Sequence, residues 1–169
     1  MRDTLPNAVK STQAGAYAAL TLGKLYVLLP RTELRTIEAT TDVMTASPPQ
    51  GGVGWIEVNR DRLPVYCTGA DLVPLSAIPV ERRICVVLKS DIASFGMLCD
   101  EVVLATANIA MKDMPVAMRL PGTPIIGLAQ YADTIACVCT AERLSEFLRK
   151  APSTRLGGGR TLPASKDHV

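Results

Sequence analysis

The sequence predicts an all-β protein, a barrel or sandwich, closed by one terminal helix. Three observations carry that expectation. Short apolar runs rich in Val, Ile, Leu and Tyr follow one another at close spacing, the pattern of many short strands. The breaks between them hold turn formers: SPPQGG at 47–52, RDR at 60–62, KSD at 89–91 and LPGTP at 120–124. Only one late segment changes to helical spacing.

In chain order the expected strands are AYAALTL (16–22), KLYVLL (24–29), VGWIEV (53–58), RLPVYCT (62–68), RRICVVLK (82–89), FGMLCDEVVLA (95–105), PIIGLAQY (124–131) and TIACVCT (134–140). The closing segment TAERLSEFLRK places Leu144, Phe147 and Leu148 on one helical face. Thr140 is positioned to cap its first turn, Arg149 and Lys150 suit its negative end, and Pro152 stops it. That apolar face is expected to cover an open end of the β assembly. The strand-rich halves around 17–73 and 83–140 are of similar weight, as two small barrels sharing a core would be.

The chain has 169 residues, a length that buries one core without staples. A hydrophobic fraction of 48% with 20% charged residues fits an ordinary globular domain. The formal charge of +2 is too small for a nucleic-acid footprint. No apolar run reaches the roughly 18 to 20 residues of a membrane-spanning helix, so membrane insertion is not expected. AGAYAALTLGKLYVLL has the outline of a signal peptide, but Lys24 interrupts it and no small-residue cleavage site follows. Five cysteines, odd in number and set in apolar runs, read as buried hydrophobes of a reducing compartment. A cytoplasmic location is the expectation.

Candidate reaction centres are few. The adjacent carboxylates Asp100 and Glu101 would project to opposite faces of an extended strand, so they cannot divide acid and base roles at one site. Solvated residues flanking a strand are the expectation for them. Cys137 and Cys139 share a strand face, yet a closed zinc site needs four ligands, and the single histidine, His168, lies near the C-terminus. The same shortage leaves a Cys or Ser nucleophile without an imidazole base. Gly157-Gly158-Gly159-Arg160 follows a helix rather than opening one, so it reads as linker and not as a phosphate cradle. Trp55 is either a core anchor or an interface hot spot. No cofactor or metal is called for.

Read together, LYVLLPRTELRTIE, GVGWIEVNRDRLPVYCTGADL, ICVVLKSDIASFGMLCDEV, IIGLAQY and TIACVCTAERLSEFL resemble, in order and separation, the CheW-like family of chemosensory coupling proteins. The likeness spans roughly 17–148. It implies two intertwined five-stranded SH3-like β-barrels with a shared hydrophobic core and a C-terminal amphipathic helix. The implied layout is a flexible segment 1–14, a domain 15–150 and a disordered tail 151–169. Within the domain, one subdomain covers about 22–80, the other about 15–21 and 83–140, and the helix 141–150.

The family is non-catalytic and docks methyl-accepting chemoreceptor tips to a CheA-type histidine kinase. The resemblance therefore implies those partners and no cofactor. Carried over by motif, the kinase-interface candidates are Leu34, Thr36, Glu38, Gly54 and Trp55. Receptor-interface candidates are Asn59, Arg60, Arg62, Phe95 and Gly96. Gly96 is expected either to admit another backbone or to serve a barrel bend. The family's Asn-Leu-Arg-Gly is here Glu57-Val58-Asn59-Arg60, so its arginine becomes Asn59 unless Arg60 or Arg62 supplies the charge. Its Val-x-Glu-Ile is here LRTI, with Thr36 at the glutamate position and Glu38 displaced. These departures are like the divergent members of type IV pilus, twitching-motility systems. Two other readings stay open: a β-barrel peptide-binding module outside chemosensing, and a cysteine-dependent enzyme.

Overall fold

A computed structural model describes residues 14–151. The chain runs β1 (Ala14–Gly15), β2 (Tyr17–Leu22), β3 (Leu25–Pro30), β4 (Leu34–Ala39), β5 (Gly54–Val58), β6 (Asp61–Tyr66) and β7 (Ile84–Leu88). It continues through β8 (Phe95–Cys99), β9 (Glu101–Leu104), β10 (Ile109–Ala110), β11 (Lys112–Asp113), β12 (Ile125–Tyr131), β13 (Thr134–Cys139) and α1 (Ala141–Lys150). Every expected apolar run contains a strand.

The first barrel is the five-stranded sheet β4-β7-β8-β6-β5. After β4 the chain makes a short helical turn at Thr40–Asp42 and returns to an extended form at Met44, which bridges Trp55 of β5. Met44 and Trp55 exchange two backbone hydrogen bonds of 2.8 Å, joining the two ends of the sheet. The bridge demands glycine at position 54. A Cβ there would lie 2.4 Å from the Met44 carbonyl oxygen and 2.8 Å from Val43 Cγ1, closer than atoms approach.

The second barrel is the sheet β11-β12-β13-β3-β2-β9, completed by the pair β1-β10. β9, β10 and β11 are successive pieces of one bent segment, residues 101–113, so the two ends of the strand order are the same stretch of chain. Its first part pairs with β2, its middle with β1 and its end with β12. Counting β1-β2 and β9-β11 once each gives five staves. Gly127 plays the part of Gly54, since a Cβ there would meet Met111 Cγ at 2.6 Å and the Lys112 carbonyl at 2.8 Å.

β2, β3, β7 and β8 are buried on both faces, which explains their nearly continuous apolar character. One face of each lines its own barrel. The other joins a common core containing Leu20 and Leu22 of β2, Val86 and Leu88 of β7, and Phe95 and Met97 of β8. α1 adds Leu144 and Leu148 to that same core, so it lies between the barrels rather than over one open end. Thr140 accepts the Arg143 N–H at 3.3 Å as N-cap, and Glu33 accepts the Ala141 N–H at 2.7 Å.

Several expectations change. β3 stays with β2 across the Gly23 turn and belongs to the second barrel, whereas β7 and β8 belong to the first. The division at 22–80 and 83–140 therefore gives way to sheets drawn from 34–99 and from 14–30 with 101–139. Ala14, expected in the loose N-terminal segment, is paired with Ala110 in β1. Pro152, His168, Gly157-Gly158-Gly159-Arg160 and the tail beyond 151 lie outside the described residues. The run FGMLCDEVVLA is two strands that cross from one barrel to the other at Asp100.

Asp100 is not a solvated flank. Its carboxylate accepts the Gly23 N–H at 2.9 Å and forms an ion pair with the buried Arg82 guanidinium, whose Nη2 also donates to the Thr68 carbonyl at 2.9 Å. Glu101, by contrast, is exposed in β9.

Candidate functional site

The closing bridge of the first barrel sets up a row across three strands. Met44 opposes Trp55, and Trp55 opposes Pro64 of β6, so these side chains stand side by side on the outer face. Trp55 is half-buried and its Nε1 donates to the Ser47 carbonyl at 2.9 Å. Above it lies Arg62, with the guanidinium carbon 4.5 Å from the ring centroid, a cation–π contact that holds the charge in place. Arg62 also faces Glu57 in the next cross-strand pair. Arg35 of β4 reaches Asp61 at 3.4 Å, and the neighbouring Ile37 is 44% exposed. The result is an apolar strip with a fixed cation over its aromatic centre.

The hairpin beside this strip turns on Asn59 and Arg60, both with positive φ, 51° and 70°. Two such residues form the tight turn whose twist matches a β-hairpin. Asn suits that conformation; the position aligned with the family's arginine is here a turn residue. Arg62, on the strand itself, carries the cation of this face.

The ten candidates thus separate. Trp55, Asn59, Arg60 and Arg62 meet on one hairpin, although motif alone divides them between two partners. Thr36 and Glu38 bond each other, Oγ1 to Oε1 at 2.8 Å, and Glu38 pairs with Cys85 on the side facing the first barrel's interior. Leu34 packs against the shared core. Gly54 is buried beneath Met44 and serves closure rather than contact.

Phe95 and Gly96 require correction. β8 is an inner strand between β7 and β6, all five of its residues are buried, and a Cβ on Gly96 would meet Cys85 Sγ at 2.8 Å. Neither presents an edge or a side chain to another protein. Met44, Ile37, Arg35 and Pro64 are the face residues that sequence reading passes over. They come from β4, β6 and a single bridge, with no local motif to tie them together.

The second barrel carries a groove of about 1000 Å³ between its bent segment and the β12-β13 hairpin. Val103, Leu104, Leu128, Tyr131 and Ile135 line it, among others. Here the walls are held together by pairing only at Lys112 and Asp113.

The thiols are poor nucleophiles. Burial pushes all five up, Cys85 and Cys99 to about 12 and Cys139 further still. Neighbouring Glu38 and Asp42 add to the rise at Cys85. At neutral pH such groups hold almost no thiolate. No cluster of three or more His, Cys, Asp or Glu suited to a metal ion occurs among the described residues. No helix among them is long and apolar enough to cross a membrane.

No protein-family model matches the chain, and no curated protein sequence matches it. Among solved structures it is similar to the scaffolding protein TtCheW from Thermoanaerobacter tengcongensis, with a TM-score of 0.59 at 11% identity. The match covers 75% of this chain and 89% of that one. At that identity the likeness is one of fold: the paired-barrel architecture of the TtCheW scaffold is the architecture of this chain.

Proposed function

We propose that the protein is a non-catalytic adaptor that couples methyl-accepting chemoreceptors to a CheA-type histidine kinase in a bacterial chemosensory system. The observation that carries this reading is the scaffold's paired-barrel fold together with the outer face of the first barrel, where Met44, Trp55 and Pro64 form an apolar strip under Arg62. Aromatic and arginine side chains are the usual energetic centres of protein interfaces. Trp55 and Arg62 act together here as one contact, with Arg60 and Asn59 at its margin, and Thr36 and Glu38 at the rim of the same barrel. A pilus-based, twitching-motility system is favoured by the Glu57-to-Arg60 departure. Loss of twitching with swimming intact, on deletion of the gene, would support that assignment, and the reverse would remove it.

The test is calorimetric titration of the full chain with the regulatory domain of the host's CheA-type kinase and with a receptor-tip fragment. Binding of both is expected. Trp55→Ala should weaken at least one of them tenfold or more, the cost of losing a hot-spot side chain of about 2 kcal/mol. A chain that binds neither would overturn the adaptor reading.

A second reading, a peptide-binding module, is favoured by the groove of the second barrel. Strand ends that splay apart offer main-chain groups to an added strand. Binding of an extended peptide that is blocked by Ile135→Arg and indifferent to Trp55→Ala would establish it instead.

A further inference from the structure

We propose that Met44 is an oxidation-sensitive position that controls the outer face of the first barrel, with a peroxide as the oxidant. Thioether oxidation follows exposure, and the methionines differ sharply in it. Met97 and Met114 are buried, whereas Met44 is 45% and Met118 51% exposed. Met118 sits on the short helical turn Val116–Met118. Met44 sits in the closing bridge, with its backbone bonded in both directions to Trp55, so its side chain neighbours the ring that centres the docking strip.

In the reaction the sulfur lone pair attacks one peroxide oxygen, the O–O bond breaks, and a sulfur–oxygen bond forms. Sulfur loses two electrons, and hydrogen peroxide is reduced to water. The product is a polar sulfoxide in the apolar row. The bridge itself uses main-chain groups and is left in place. A partner covering the strip would then bury a polar oxygen without a matching donor. The effect on docking rests on the adaptor reading; the oxidation does not.

The experiment treats the wild-type chain, Met44→Leu and Met118→Leu with graded hydrogen peroxide. Peptide mass mapping, the emission of Trp55, which is the sole tryptophan, and affinity for the kinase regulatory domain and for the receptor-tip fragment are followed together. Met44 and Met118 should oxidise before Met97 and Met114. Trp55 emission should change in step with Met44 sulfoxide in the wild type and Met118→Leu, and stay constant in Met44→Leu. Affinity should fall about fivefold where Met44 is oxidised and hold in Met44→Leu. Met44 oxidising no faster than Met97, an emission indifferent to its sulfoxide, or an affinity unchanged for both partners would each overturn the proposal. If the untreated chain binds neither partner, the adaptor reading fails and takes the docking half with it, while the emission still decides whether Met44 governs this face.

Discussion

The two barrels are closed by the same device and end up differently sealed. In each, a bent segment crosses a glycine: residues 34–44 over Gly54, and residues 101–113 over Gly127. The first barrel's interior is filled by branched aliphatics such as Val53, Ile56, Val65, Val87 and Leu98. The second holds Ala19, Ala129 and Ala136 among Tyr17, Leu28, Ile109 and Val138, with the edge-on pair Tyr26–Tyr131, whose centroids are 5.2 Å apart, packed against them. Its closing segment also bows away before Lys112, leaving the groove. The three alanines sit on β2, β12 and β13, where small side chains make fewer contacts across the interior. The closed barrel offers a firm face, the open one a receptive groove.

Cutting what joins the barrels should have the largest effect. Arg82→Met would leave the Asp100 carboxylate without its cation at the crossing and the Thr68 carbonyl without its donor. Urea unfolding should show a loss of about 3 kcal/mol or more, the cost of a half-removed buried ion pair. A loss under 1 kcal/mol would mean that the shared core alone fixes the crossing.

Next come the two glycines. Gly54→Ala drives a methyl against the Met44 carbonyl and should cost about 2 to 3 kcal/mol. Gly127→Ala should cost less, because two of its three close atoms belong to the flexible Met111 side chain. Equal losses would erase the distinction between a sealed seam and a yielding one.

The smallest effect concerns α1. Burial, helped by Asp91 and Glu142, raises Glu33 above its ordinary value of 4.5, against the lowering pull of the Ala141 N–H. A carboxyl raised in the folded state favours folding when protonated, and that contribution disappears as pH climbs from about 4.5 through the folded value. Glu33→Gln keeps an acceptor for Ala141 and removes the charge. It should therefore be more stable than the wild type at pH 7, with the gap closing below pH 4.5. Paired denaturation curves at the two pH values check this, and a gap of the opposite sign would contradict it.

Much of the architecture was legible because strands buried on two faces are simply apolar for their whole length, as ICVVL and FGMLC are. LRTIEA escaped because β4 is half-exposed along its length and shows neither alternation nor an apolar run. The crossing at Asp100 was equally hidden, since apolar residues continue on both sides of it. The face was harder still. Trp55 and Arg62 stand out as residue types and Pro64 joins them by the register of their own hairpin, but Met44 does so only through a single bridge formed as the barrel closes. Phe95 and Gly96 misled for a related reason: a glycine that admits a close neighbour reads the same whether that neighbour is a partner's backbone or Cys85 and Val65 within its own barrel.

Under the proposed adaptor role, the Trp55–Arg62 face of the sealed first barrel meets a signalling partner. Titrating the intact chain with the CheA-type regulatory domain and with the receptor-tip fragment, while following Trp55 emission, decides whether it does. The expected result is a saturable emission change with one of the two, lost in Arg62→Ala together with the binding. Saturating binding of both partners with emission and Arg62→Ala affinity unchanged would show that this face is not where they dock.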